Sequence, residues 1–569
     1  MALPADKIPS TWHAGSLRAG ELPWLRLLWL AAVVQAALLC VSPLTGIEAP
    51  LSYLTAYWDD FFYYLQIARN LAMDFRSTYD GLHLTNGYHP LWMLVLAALC
   101  VVLDPTRIEF HIALAIAIGG LGVLMAHLLL RYARTAFALP PAVAMVVALL
   151  GHTFYVTMAR HGMEVSLALP LLLAFMLAGH RFVAAPGFRT MAACALLGSL
   201  TILARLDMAI AVMMLAAALL RTTSLVEIRS WLTRPIVVAL LLGALPLVAY
   251  TITNFAVFSI AMPVSGQAKQ LAPFPVLGGT FLAHMLRELL LLRYGAFSIY
   301  VTHGVAPALL ALLALALYPR TRPKDSYWAA AHLALLIFPF ALLFVQFLVS
   351  DWILWPWYLY VFIPAFVTAL AALARAGLYD SGTGDSPQRW HPAGRLVMVA
   401  ATILAGLALI TALALHARER RLEAGMTDAA LAVAAFAAHH EGRLAMGDRA
   451  ARVGFLLPNR VEQLEGLVGS PDLLQPIREQ ADLIATLRER GIRYYVGTRM
   501  PEDGRCHIGE EPKAIQAGPR SPRMSGRFCS EPVLRHVDNQ GVTTLIFDVR
   551  AEAANAVKTP KPTLLRSAP

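Results

Sequence analysis

The chain has 569 residues, 58% of them apolar and only 14% charged, with a mean hydropathy of +0.60. That balance excludes a soluble globular protein. The formal net charge of +10 is not a nucleic-acid signal, because Arg gathers in short loops between apolar runs of ~20 residues, the length that crosses ~30 Å of hydrocarbon.

In chain order, the first apolar run, 24–41, is too long for a signal-peptide core and is read as a retained anchor. About eleven spanning helices follow the hydropathy, at roughly 24–43, 108–130, 139–158, 164–180, 188–204, 206–220, 235–257, 299–318, 327–349, 355–374 and 395–415. The stretch Leu91–Leu103 is too short for a span and reads as a helix lying in the interface. Leaving it out puts Arg131/Arg134, Arg181/Arg189, Arg221/Arg229/Arg234, Arg320/Arg322/Lys324 and Arg375/Arg389/Arg395 on one side, which the positive-inside bias makes cytoplasmic, along with the N-terminus.

The expected organisation is therefore a transmembrane module over 1–416, with external loops at 44–107 and 258–298. An extracytoplasmic α/β domain over 417–550 and a disordered tail over 551–569 follow it. A juxtamembrane helix is expected from Asp59 to Met73, and an amphipathic stretch at Phe281–Arg293. In the C-terminal region Leu444–Gly447, Val461–Leu464, Tyr494–Val496 and Thr543–Val549 read as strands, with a helix at Leu483–Arg490. Cys40, Cys100 and Cys194 lie in apolar segments as small buried thiols. Cys506 and Cys529 share the polar C-terminal region and have the opportunity to pair if it is extracytoplasmic.

The candidate chemistry begins in Tyr57-Trp-Asp-Asp-Phe-Phe-Tyr-Tyr64, where Asp59 and Asp60 follow the first span directly. Carboxylates at a membrane surface serve either as a general base or as a charge pair opening a helix. On a helix the two point ~100° apart, so a single pocket takes only one of them directly. Lys269 is the one lysine between Ile8 and Pro323. It is a candidate cation for a developing phosphate charge, with a snorkelling interfacial lysine as the ordinary alternative.

Arg160 and Arg205, at external helix ends, compete for the same role. Glu164 is either a site carboxylate or the i, i+4 partner of Arg160. His89, His161 and His303 have no two members at a metal-ligand spacing. Trp352, Trp355, Trp357, Tyr358 and Tyr360 suit either sugar stacking or the ordinary aromatic belt.

These segments resemble the GT-C glycosyltransferases, a superfamily that includes protein O-mannosyltransferases, aminoarabinose transferases and arabinofuranosyltransferases. The resemblance rests on the acidic pair after the first span, Thr85-Asn-Gly-Tyr-His-Pro-Leu-Trp92, Gly162-Met-Glu164, Pro263-Val-Ser-Gly266 with Lys269, and the Trp352–Tyr360 run. Gly447-Asp-Arg-Ala-Ala-Arg-Val-Gly-Phe-Leu-Leu-Pro458 and Leu464-Glu-Gly-Leu-Val468 are similar to the soluble domain of bacterial members. One departure is Ala204-Arg-Leu-Asp207, where the family pattern is Arg-Pro-Asp.

The resemblance implies a bacterial cytoplasmic-membrane enzyme transferring a sugar from a polyprenyl-phosphate donor, by inverting displacement, to an extracytoplasmic glycan, lipid or protein. It implies Asp59 as general base with Asp60 the close alternative, and Lys269, Arg160 and Arg205 on the donor phosphate. Glu164, Asn86, His89, Asp207, Tyr63 and Trp357 would then contact substrate, and a divalent cation stays open. No P-loop, Rossmann glycine pattern, HExxH or Gly-x-Ser-x-Gly is present, so the energy for transfer comes from the donor. The alternatives are a sugar-lipid transporter and an envelope assembly protein without catalysis.

Overall fold

Backbone amides in hydrocarbon have no water to bond, so each apolar run satisfies them internally and is helical. The computed structural model describes residues 22–41, 44, 51–260, 262–272, 283, 299–378 and 392–556. The helices used below are α1 (Leu22–Ala36), α2 (Asp59–Asp74), α3 (Pro90–Val102), α4 (Ile108–Phe137), α5 (Pro141–Ala159), α6 (Val165–Ala184), α7 (Phe188–Ala204), α8 (Ala209–Arg221), α9 (Arg234–Thr253), α10 (Ala306–Ala316), α11 (Ser326–Val349), α12 (Phe362–Leu378) and α13 (Pro392–His439).

Each of the eleven expected segments is helical over most of its described residues. Among those residues, seven helices are long and apolar enough to cross a membrane by length and composition: 23–41, 108–137, 141–159, 165–184, 234–258, 326–349 and 356–376. They coincide with seven of the expected spans, and the run expected at 395–415 lies within α13. The segment 188–204 is a shorter apolar helix of 17 residues, and α8 has only 13. The reason is local: the chain extends at Arg205 (φ −155°, ψ 113°) and makes one 3-10 turn over Leu206–Met208, which breaks α7 from α8. The 13-residue α3 is likewise too short to span.

Helix α13 has 48 residues, ~70 Å of helix, more than twice the hydrocarbon thickness. Its second half leads into two sheets. In the first, the strands run in the order β2 (Val461–Gln463), β1 (Leu444–Met446), β3 (Tyr494–Thr498), β8 (Thr543–Asp548), β7 (Leu534–Val537). β1 is parallel to both β2 and β3, with Leu444 opposite Val461 and Tyr494, whereas β8 runs antiparallel to β3 and β7. The second sheet is antiparallel: β4 (Glu502–Asp503), β5 (Cys506–Glu511) and β6 (Met524–Phe528).

The four expected strands and the helix are found, and β4 to β7 add to them. Helix Val549–Ala556 ends the described chain, so the tail expected as disordered from 551 is helical through 556. Residues 557–569 and the stretch Phe281–Arg293, apart from residue 283, lie outside the described residues.

One apolar cluster runs from the bundle into this C-terminal unit, including Phe61, Phe62, Tyr79, Val453, Phe455 and Ile546. A second cluster, with Leu483, Tyr495, Phe528 and Phe547, fills the space between the two sheets. Cys506 and Cys529 form a disulfide across 23 residues of sequence. Replacing both with Ser should lower the stability of the C-terminal unit by about 3 kcal/mol, read as a fall in its denaturant midpoint in detergent. An unchanged midpoint in oxidised and reduced protein would show that the bridge contributes nothing.

Candidate active site

Asp59 and Asp60 open α2 behind Trp58, which makes no side-chain cap, so both carboxylates sit in the first turn. The two diverge, as the ~100° step requires. Asp59 turns to the C-terminal unit, where its Oδ1 accepts from Nη1 of Arg452 at 2.7 Å and from the Arg452 backbone N–H at 3.4 Å. The Asp59 carboxyl is raised on balance: burial pushes it up by more than the Arg452 guanidinium pulls it down. Asp60 makes no hydrogen bond or ion pair among the described residues. Burial first, then the Asp59 charge, push its carboxyl up to about 7, against a downward pull from Lys269. A carboxyl at that value is half ionised near neutrality, which suits a general base. Asp59 is thus engaged in an ion pair, whereas Asp60 is in none among the described residues.

On the other side of Asp60 lies a chain of polar groups contributed by four loops. Lys269 follows the short helix Val264–Ala268, and its Nζ donates to the Tyr358 hydroxyl at 2.9 Å. Arg205 sits in the break between α7 and α8, with its guanidinium 4.1 Å from the Tyr360 ring centre and 5.3 Å from that of Tyr358. Its Nε donates to Asp207 Oδ1 at 2.9 Å, and its Nη1 pairs with Glu164. Tyr360 donates to the same Asp207 oxygen at 2.9 Å.

Two carboxylates thus already answer Arg205, while Lys269 has only a phenol. Glu164 does not pair with Arg160, and its second carboxylate oxygen has no hydrogen-bond partner among the described residues. His89 Nδ1 accepts from the Leu206 backbone N–H at 3.0 Å, so the neutral ring carries its proton on Nε2, 3.7 Å from Glu164. Burial lowers the His89 pKa and keeps that ring neutral.

The remaining candidates hold the frame. Arg160 pairs with Glu419 of α13, in a buried cluster with His161, whose Nε2 is 3.2 Å from the same carboxylate. This pair corrects the expectation of Arg160 as the partner of Glu164, which pairs with Arg205 instead. Asn86 is buried; its Oδ1 accepts from the Val264 backbone N–H at 2.9 Å and its Nδ2 donates to Asn254 at 3.2 Å, so it sets the segment that carries Lys269 instead of facing an open site. Tyr63 is buried edge-on to Tyr79, centroids 5.4 Å apart, and its hydroxyl makes no hydrogen bond among the described residues.

Trp357 stacks on Trp355 at 5.1 Å and lies 5.6 Å from Trp58, which itself stacks on His161 at 3.9 Å. Lys269 lines a shallow pocket together with Gln346, Ser350, Trp352, Trp355 and Tyr358.

Sequence reasoning missed Arg452, Glu419 and Glu423. Gly447–Pro458 flagged the segment that carries Arg452, but only the docking of the two units reveals its partner. Among the described residues, one group has metal-ligand spacing: Asp80, His83 and Glu462. Arg443 Nη2 already donates to Asp80 at 2.9 Å and to Glu462 at 3.2 Å, so a guanidinium serves as the cation there.

Two glycines let the motifs close. A Cβ on Gly87 would meet the Leu467 carbonyl oxygen at 2.0 Å, and Gly162 has φ +79° with the Phe61 ring 2.5 Å from the same construction. Trp92 Nε1 donates to the Gly162 carbonyl at 2.9 Å. Gly162→Ala should therefore displace Phe61, the residue after Asp60, and lower stability by roughly 2–4 kcal/mol, measured as thermal unfolding in detergent. A melting point equal to the wild type would rule out that packing.

No protein-family model matches this sequence, and no curated protein matches it. Among solved structures, the chain is similar to ArnT from Cupriavidus metallidurans bound to undecaprenyl phosphate, at 14% identity and a TM-score of 0.48, over 93% of this chain and 98% of that one. It is similar to the oligosaccharyltransferase of Archaeoglobus fulgidus tethered to an acceptor peptide, at 12% identity and a TM-score of 0.46, over 83% and 69%. The arabinosyltransferase EmbB from Mycobacterium smegmatis is similar at 13% identity and a TM-score of 0.39, over 90% of this chain and 46% of that chain.

Proposed function

We propose that this protein is a membrane glycosyltransferase of the GT-C type that moves a sugar from a polyprenyl-phosphate donor to an extracytoplasmic acceptor. The observation that carries this reading is the pairing of an unpartnered carboxylate, Asp60, with a lysine in electrostatic reach that no carboxylate holds, Lys269. Asp60 takes the proton of an acceptor hydroxyl. The acceptor oxygen bonds to the anomeric carbon, whose bond to the phosphate oxygen breaks from the opposite face. The electron pair leaves with the phosphate, and Lys269 stabilises the growing charge. Beside Lys269, Trp352 and Trp355 supply an apolar surface for isoprenoid carbons.

Arg205, already answered by Glu164 and Asp207, lies over the rings of Tyr358 and Tyr360. The disulfide Cys506–Cys529 supports an oxidising, extracytoplasmic position for the C-terminal domain over about 417–550. A transporter would place its polar groups at the bilayer midplane. Here they collect at one end of the bundle, while Arg375 meets the Phe137 carbonyl, 3.2 Å away, at the other.

The test is transfer by purified protein in detergent, with a panel of radiolabelled polyprenyl-phosphate sugars and crude envelope acceptor. Label should enter the acceptor from one donor, and Asp60→Asn should lower the rate ~10²–10⁴-fold. The base works only when ionised, so the rate should rise with pH through about 7 and level off above it. Asp59→Asn removes a like charge beside Asp60 and should carry that acid limb to lower pH. Full activity in Asp60→Asn, without an acid limb, would remove Asp60 from the mechanism.

A further inference from the structure

Arg452 is fully buried, and the chemistry above does not use it. It reaches out of the short helix Ala450–Leu456 in the C-terminal unit and every arm is answered: Nε by the Leu54 carbonyl at 3.0 Å, Nη2 by the Tyr57 carbonyl at 2.8 Å, Nη1 by Asp59 at 2.7 Å, and Nη2 again by Glu423 of α13. Its plane lies over Phe62, 5.1 Å from the ring centre. An isolated charge is not kept in such a place for stability, since an apolar side chain would do as well. A planar fork with fixed donors does keep a carboxylate in one orientation and one charge state.

We infer that Arg452, braced by Glu423, is a positioning residue: it holds Asp59 as a fixed anion, and so leaves Asp60 as the one carboxylate of the pair able to take a proton. The inference rests on the glycosyl-transfer reading only for which proton Asp60 takes. Two adjacent buried carboxylates without a counter-ion share a proton and titrate as a pair, with no defined base. With Arg452 in place the roles separate.

The charged groups that bear on Asp59 are Arg452, Asp448 and Arg449 from the C-terminal unit, with Glu423 behind the guanidinium. Those that bear on Asp60 are Asp59, Lys269, Glu164 and Glu423. The C-terminal domain is thus a component of the active site and not a cover over it. Further contacts bind the same seam: the Tyr79 hydroxyl donates to the Ala450 carbonyl at 2.7 Å, Arg443 to Asp80 at 2.9 Å, and Asn70 to Asn459 at 2.9 Å.

The test uses full-length protein in detergent, checked for monodispersity, with two readouts. In pH-difference infrared spectra, Arg452→Gln should gain a protonated-carboxyl band that Asp59→Asn abolishes, because Asp59 takes up a proton once its counter-ion is gone. In the transfer assay the same variant should be slowed at least tenfold, with its acid limb moved to lower pH, as in Asp59→Asn. A purely structural role would lower the rate without moving that limb.

Arg452→Lys keeps the charge but loses the fork; it should add no band and leave the limb in place while slowing transfer. It is the variant to read if Arg452→Gln does not fold. Should the infrared band appear while no donor supports transfer by the wild type, the fixing of Asp59 stands and the glycosyl-transfer reading loses its support. Folded Arg452→Gln without the band, or Arg452→Lys with wild-type transfer, overturns the inference.

Discussion

A guanidinium with no solvent access keeps its charge only if its surroundings replace every water it lost. For Arg452 that replacement comes from two parts of the chain far apart in sequence: the carbonyls of Leu54 and Tyr57 with the carboxylate of Asp59 at the start of α2, and Glu423 on the far half of α13. This single ionic node decides where the N-terminus of α2 lies, which way Asp59 points, and how the C-terminal unit sits on the bundle. Its lining is apolar and aromatic, with Phe455 against Phe62 at 5.4 Å, so the node is strengthened by the low dielectric around it.

From that anchor the site divides by charge. Toward the C-terminal unit the Asp59 carboxylate is paired with Arg452; toward the bundle Asp60 feels the charge of Lys269. The neighbouring chain Glu164–Arg205–Asp207–Tyr360 is internally satisfied and holds the aromatic segment that presents Tyr358 to the lysine. Helix breaks make this possible. The extended backbone at Arg205 frees a polar pair where a continuous helix would have buried it in hydrocarbon. Helix α13 matters for a second reason: Glu419 and Glu423, one turn apart, clamp Arg160 and Arg452 respectively, tying the end of α5 and the C-terminal unit to one rod.

Much of the architecture was legible because hydrophobic periodicity and length are local properties. The positions of the apolar helices, the short helix over 90–102, the helix opening on Asp59 and four of the eight strands could be read directly. Lys269 stood out for its isolation, and the pair at 59–60 for its place after a span. Strands β4 to β7 were missed because short edge segments such as Glu502–Asp503 and Leu534–Val537 carry little alternating pattern, and their pairing is made by neighbours in space.

The sequence by itself determined that this chain forms apolar helices with charged loops and carries a mixed α/β unit, since those follow from the solvation of each segment. It also brought forward the residues able to do chemistry, by type and by position relative to the spans. Only the tertiary structure decided which of two adjacent aspartates is paired with Arg452, that Glu164 pairs with Arg205 and not with Arg160, and that Asn86 supports the lysine segment. The physical reason is range: a hydropathy pattern acts over one or two turns, whereas the charge state of a buried carboxylate is set by whichever opposite charge docks against it, here an arginine 393 residues away in sequence.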